Sequence, residues 1–246
     1  MPKFFTAREN ITDTQITIDS EDAKHIKKVL RMGVGDDITV CDGTGTDYSA
    51  KISVIEENRI LCDIIKKTKC DAEPDINITL YQGLPKATKM DYIIQKNTEL
   101  GINKIVPVKM SRCVVKLENK SAEEKKTERW QKIAYEAAKQ SGRGIIPQVG
   151  QPMDIDEVIA EVQDDDLVFV PYECETQTRL KDIVTTTHKP INISFIIGPE
   201  GGFDITEIEK IKAAGIKTIT LGRRILRTET AASAVISMLM YALDEI

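Results

Sequence analysis

The chain has 246 residues, 41% of them hydrophobic, and a net charge of −5. This is enough apolar material for one large or two small cored domains; no apolar run reaches the length of a membrane span, and the acidic balance excludes a uniformly basic nucleic-acid binder. The five scattered cysteines (Cys41, Cys62, Cys70, Cys113, Cys174) include no CxxC pair, and the only histidines are His25 and His188, which argues against a disulfide framework, a zinc ribbon or a histidine-based metal site.

The opening "MPKFFTAREN" lacks the apolar stretch of a secretory signal, and a reducing cytoplasm is the expected compartment. "KFFTA" and "QITID" read as strands. "SEDAKHIKKVLRMG" reads as a helix with Ala23, Ile26, Val29 and Leu30 at helical spacing and Gly33 near its stop. Three β-rich runs follow from Asp36 to Lys67, broken by Asp-Gly and Glu-Asn turn signals. Residues 1–72, with 11 Lys and Arg against 13 Asp and Glu, thus form a small, mostly β module of barrel type. The polar stretch Lys69–Asp75, containing Pro74, reads as a linker.

From residue 73 strands and helices alternate. "INITLYQG", "KIVPV", "LVFVPY", "NISFIIG" and "KTITLG" are the expected strands. Helices are expected at about residues 89–100, 122–140, 204–214 and 228–243, the third opened by an Asp204/Glu207 capping box and closed at Gly215. Such alternation implies α/β architecture, a parallel sheet covered on both faces. Trp130, in the long helix, reads as a packing residue.

Two of these strands end in glycine turns, "FIIG-PEGG" at Gly198 and "TITLG-RRILRTET" at Gly222. A parallel sheet sets both ends on one edge, where open α/β sheets bind ligands. The free backbone groups of such turns suit an adenine, and the helix start near Thr228 favours an anionic group. Neither G-x-G-x-x-G nor G-x-x-x-x-G-K-[ST] is present in its required context.

"GPEGGF" followed by "LGRRILRTETAA" resembles the RsmE-type 16S ribosomal RNA uridine-N3 methyltransferases of the SPOUT superfamily. "HIKKVLRMGVGDDI", "LPKATKMDYIIQKNTELGI" and "RWQKIAYEAAKQSGRGIIPQV" resemble further family motifs in the same order. The resemblance implies a PUA-like RNA-binding β-barrel (1–72) and a SPOUT α/β methyltransferase domain (73–246) with a deep trefoil knot. It further implies S-adenosyl-L-methionine as cofactor, a homodimer, and methylation of one uridine N3 in 16S rRNA of the small ribosomal subunit; no metal is expected, on the histidine content given above.

By that resemblance Ile197, Gly198, Glu200, Gly201, Gly202, Leu221, Gly222, Ile225, Leu226 and Thr228 hold the cofactor. Arg227 faces the base and stabilises the charge that develops on it. An arginine keeps its proton, so Glu200 or Glu229 would accept the one from N3. The competing reading of Arg227 is an ion pair with Glu200 or Glu229. Lys24, His25, Lys28, Arg31, Lys89, Arg143 and Arg224 are the expected RNA contacts; without the resemblance the basic run on the first helix would read as a solvated face. Three rival readings are a SPOUT enzyme acting on another RNA base or a ribose, an RNA-binding assembly factor without catalysis, and a non-RNA nucleotide-binding enzyme; the intact glycine loops count against the second, and the basic first helix and missing dinucleotide fingerprint against the third.

Overall fold

The computed structural model describes residues 3–116, 119–184 and 189–246, without the side chains of Ser20 and Glu21. His188 and the first two residues of the N-terminal stretch lie outside the described residues. The chain divides into two compact units, Met1–Glu73 with Ala138–Ile146, and Pro74–Ala137 with Pro147–Ile246. The segment 138–146, which the sequence reading assigned to the second domain, therefore belongs by contact to the first.

The first unit holds β1 (Lys3–Phe5), β2 (Gln15–Asp19), α1 (Ser20–Lys28), β3 (Asp37–Cys41), β4 (Thr46–Ile55) and β5 (Arg59–Lys69). They form one sheet in the order β1-β3-β4-β5-β2. Ile16 and Ile18 alternate inward on β2, as do Ile38 and Val40 on β3, and the helix adds Ala23 and Ile26. Register shifts on β4 at Ser49/Ala50 and Ile52/Val54 mark bulges, which bend a strand and increase its twist. The Thr6 hydroxyl, just past β1, donates to Thr17 O on β2 at 3.0 Å, so the two edges of the curled sheet meet, in keeping with a PUA-like barrel.

The helix is shorter than its apolar spacing suggests. It ends at Lys28, and the chain reverses at Arg31 with φ of 54°. The N–H of Leu30 donates to His25 O, and that of Met32 to Ile26 O. Val29 and Leu30 are consequently exposed instead of buried.

The expected linker is packed. Lys69 is the last residue of β5, Cys70 is buried, and Glu73 is the centre of a closed ion cluster. One Glu73 oxygen accepts from Gly144 N at 2.7 Å and Ile145 N at 2.9 Å, and the other from Arg143 Nη2 at 2.6 Å. Arg143 is 2% exposed. The sequence reading had it touching RNA; in the structure its guanidinium is held inside the first unit by Glu73.

The second unit is an all-parallel sheet covered by helices. Its elements are β6 (Asn77–Gly83), α2 (Lys89–Glu99), β7 (Lys104–Lys109), α3 (Lys120–Ser141), β8 (Gln148–Val149), β9 (Met153–Asp154) and α4 (Ile155–Glu161). They continue as β10 (Leu167–Pro171), α5 (Leu180–Val184), β11 (Asn192–Ile197), α6 (Ile205–Ala213), β12 (Lys217–Ile219) and α7 (Thr228–Ala242). The strand order is β12-β10-β11-β6-β7-β8, with β9 also on β7. The central strands are nearly continuous apolar runs, as burial on both faces requires. One core lies under α2, α3, α5 and α7 and includes Trp130; the other lies under α4 and α6. The Trp130 indole N–H donates to Asp91 at 3.2 Å, so this side chain is a core residue with a satisfied polar edge. No helix among the described residues is long and apolar enough to cross a membrane.

Arg143→Ala leaves the Glu73 carboxylate buried without its cation, and breaking such a pair from one side costs about 3–5 kcal/mol. Urea unfolding should show a loss of that order, with a smaller loss in an Arg143→Ala/Glu73→Leu double variant.

Candidate active site

The β11–β6 pairing sets Ile197 opposite Gln82. Their loops, Gly198–Gly202 and Gly83–Thr88, therefore leave the sheet side by side. β10 lies between β11 and β12, so the loop after β12 emerges on the same edge. The two glycine turns do share one edge of a parallel sheet.

The glycines of the first loop, and Gly83 at the start of its neighbour, make room for packed protein atoms. A Cβ on Gly83 would lie 2.6 Å from Pro199 Cδ, and one on Gly201 would lie 3.0 Å from Arg112 Cβ. On Gly202, whose φ is +67°, it would lie 2.6 Å from Glu173 Oε1. The first loop is thus glycine-rich because protein packs against it. Gly222 is the exception: its φ is +104° and nothing lies within 4 Å of its Cβ position.

The second loop offers what a nucleoside needs. Leu221 and Leu226 pack on the core, while Arg223, Arg224 and Ile225 are exposed, Ile225 at 87%. Within the described residues, the backbone N–H groups of residues 223–227 meet no protein acceptor. Arg227 is the N-cap of α7, and no side chain caps the helix. The first N–H groups of α7 thus remain as free donors at the positive end of a 15-residue helix. These donors, with the apolar Leu221 and Leu226, fit the adenosine and carboxylate of S-adenosylmethionine. Thr228 is placed otherwise than expected: it is 7% exposed, and its hydroxyl donates to Gly198 O at 2.7 Å while accepting from Gln82 Nε2 at 2.8 Å. It ties the first loop to the helix.

Lys89 settles the pairing of the two candidate carboxylates. Its ammonium stands 3.0 Å from Glu200 and 3.4 Å from Glu229. The backbone N–H of Lys86 adds hydrogen bonds to both Glu200 oxygens, at 3.1 and 3.3 Å. Burial pushes the Glu200 carboxyl up, but the Lys89 ammonium and the backbone N–H groups of Glu200 and Lys86 outweigh it and hold it below the usual range. Hydrogen bonding to Glu200 in turn raises the Lys89 ammonium. Lys89, expected to meet RNA, is therefore engaged with carboxylates. Arg227 is exposed, and its guanidinium pairs with neither Glu200 nor Glu229.

Of the other expected RNA contacts, Lys24, His25, Lys28 and Arg31 are exposed in the first unit, and Arg224 is exposed in the second. The sequence reading did not single out Gln82, or Glu173 beside Gly202. Nor did it single out the bond from Arg112 Nη1 to Gly201 O, 3.2 Å long. A polar residue closing an otherwise apolar strand, as Gln82 does in "ITLYQG", was the available signal.

An RNA methyltransferase domain family matches residues 72–240, and an RNA methyltransferase PUA domain family matches residues 18–65. Fold and site together define a two-part RNA methyltransferase. Among its relatives is the ribosomal RNA small subunit methyltransferase E of Bacillus subtilis, 36% identical over 229 residues, 92% of this chain and 89% of that protein. The protein of that name from Buchnera aphidicola is 34% identical over 231 residues, 90% of this chain and 86% of that one. The crystal structure of the Neisseria gonorrhoeae ribosomal RNA small subunit methyltransferase E, bound to S-adenosyl methionine, matches with a TM-score of 0.84 and 32% identity, covering 98% of this chain and 97% of that one. A Legionella pneumophila methyltransferase structure with bound cofactor SAM matches at 0.84 and 30% identity, covering 98% and 97%. The chain belongs to the ribosomal RNA small subunit methyltransferase E family.

Glu200→Gln should show the Lys89 coupling in its pH dependence. Because folding lowers the Glu200 pKa, the wild type's stability advantage is full above the unfolded value of about 4.3 and is lost as pH falls through the folded one. Urea unfolding at about pH 7 and about pH 3 should give a gap between the two proteins that narrows on acidification; a constant gap would show that the ion pair contributes nothing.

Proposed function

We propose that this protein methylates N3 of a specific uridine in 16S rRNA of the small ribosomal subunit, with S-adenosylmethionine as the methyl donor. The observation that carries the reading is Arg227: a guanidinium with no ion-pair partner among the described residues, at the N-cap of α7, beside a second loop whose free backbone donors fit the cofactor. Family membership and the S-adenosyl methionine-bound Neisseria gonorrhoeae structure support it.

The second loop and the start of α7 hold the cofactor, which supplies an electrophilic methyl group on its sulfonium. Uracil N3 becomes nucleophilic only when its proton leaves, to Glu229, Glu200 or water, and negative charge then spreads onto the ring oxygens. Arg227 is placed to bind that charge and to hold the ring in line with the methyl. Its positive charge is undiminished by a neighbouring carboxylate, because Lys89 takes up Glu200 and Glu229. The same pairing lowers the basicity of Glu200.

In the first unit, Lys24, His25, Lys28 and Arg31 on and after α1 form an exposed basic strip suited to phosphates. A local patch of this kind allows an acidic protein to bind RNA. The homodimer and trefoil knot expected from the resemblance, and the metal-free state and cytoplasmic location expected from the composition, belong to the same proposal.

The test is transfer of labelled methyl from S-adenosylmethionine to small subunits lacking the modification, followed by nuclease digestion and mass analysis of nucleosides. N3-methyluridine is expected with the wild type, and Arg227→Ala should reduce its formation by about 100-fold or more, the usual loss for a preorganised charge-stabilising group. A methylated product other than N3-methyluridine would move the target to another base or ribose. Cofactor binding without transfer to any RNA would overturn the enzyme reading.

A further inference from the structure

Gln82 is fully buried, at 0% exposed, at the end of the central strand β6. Its Nε2 donates to Thr228 Oγ1 at 2.8 Å and to Gly83 O at 3.0 Å. The Thr228 hydroxyl has one proton and spends it on Gly198 O at 2.7 Å. The orientation of the amide follows: both groups facing Nε2 are acceptors, so the nitrogen must point there. Its Oε1 is buried and meets no hydrogen-bond partner among the described residues. A buried orphan acceptor costs about 1–3 kcal/mol, and stability alone would favour an apolar side chain at this place.

Three segments of the site converge on this amide. Gly83 opens the loop after β6, Gly198 opens the first cofactor loop, and Thr228 is the first residue of α7, directly after Arg227. Pro199 packs on Gly83 so closely that a Cβ there would be 2.7 Å from its nitrogen. Movement of Thr228 therefore carries Arg227 with it.

We infer that Gln82 is a positioning residue for the methyl-transfer reaction: through the Thr228 hydroxyl it sets Arg227 relative to the first cofactor loop. This rests on the function proposed above. Gln82 touches neither base nor methyl. The orphaned Oε1 marks the amide as kept for what its nitrogen holds.

The experiment measures methyl transfer to small subunits, cofactor affinity and thermal unfolding for four variants of the full chain. Gln82→Leu keeps the volume, removes the donor and also removes the orphan acceptor. Its Tm should stay within about 3 °C of wild type, and its cofactor Kd within about threefold, while kcat falls roughly 10- to 100-fold through misplacement of Arg227. Thr228→Val should repeat that kcat loss. Thr228→Ser, which keeps the hydroxyl, should hold kcat within about threefold of wild type. Gln82→Leu/Thr228→Val should lose no more than the worse single variant, since both act through one contact.

Wild-type kcat in Gln82→Leu would overturn the inference, as would a parallel collapse of kcat, cofactor affinity and Tm. Should Gln82→Leu not fold, the Thr228 pair decides: equal activity of Thr228→Val and Thr228→Ser would overturn it. A wild type that transfers no methyl to small subunits sinks the proposed function itself, a result distinct from an active wild type with an equally active Gln82→Leu.

Discussion

The site depends on the parallel pairing of β6 with β11. Six residue pairs in register, from Asn77 with Asn192 to Gln82 with Ile197, deliver two chain ends to one point on the sheet edge. The first loop and the loop that carries Lys86 and leads into Lys89 leave from those ends, and the second loop, after β12, joins them on the same edge. The first loop follows Ile197 directly, and Gln82 reaches across to the first residue of α7. Burial of apolar side chains on both faces holds this register, because a one-residue slip would turn every inward side chain outward.

Electrostatics then divides the charged groups around the edge. Lys89, the first residue of α2, takes both Glu200 and Glu229, and the Lys86 N–H adds a further hydrogen bond to Glu200. Arg227 remains without a counter-ion among them. A cation that must meet a substrate anion gains from this arrangement: an internal carboxylate would compete for it. The free N–H groups at the start of α7 add positive potential in the same place. The net charge of −5 says nothing of this local field, which is set by which acid meets which base.

The glycines show how one residue type serves two ends. In "GPEGG" they let Arg112, Glu173 and Phe203 pack against the turn. At Gly222 the positive φ turns the chain with open space beside it. Both positions demand glycine, and both appear alike in the sequence. Only the neighbours, which come from distant parts of the chain, separate the packed turn from the open one. Arg143 and Lys89 teach the same lesson with charge. Each stands in a basic or polar stretch that reads as surface, yet each has its partner more than 60 residues away, Glu73 for Arg143 and Glu200 for Lys89.

By itself the sequence determined most of the elements and their type, but not β8, β9, α4 or α5. Period-two alternation in β2 and β3, nearly continuous apolar runs in β6 and β11, and the capping box of α6 are local patterns, so local chemistry suffices to read them. It determined the order of the motifs, and with them the family. It also placed the two glycine turns on one edge of the sheet, because parallel strands leave no choice about which ends coincide. Tertiary structure alone decided which side chains meet there. It ended α1 at Lys28, drew Glu73 and residues 138–146 into the first unit, and spent the Thr228 hydroxyl on a structural bond. It also revealed Gln82. The physical reason is that ion pairs and buried hydrogen bonds act between groups a few ångströms apart in space, whatever their separation along the chain, and periodicity carries no record of that distance.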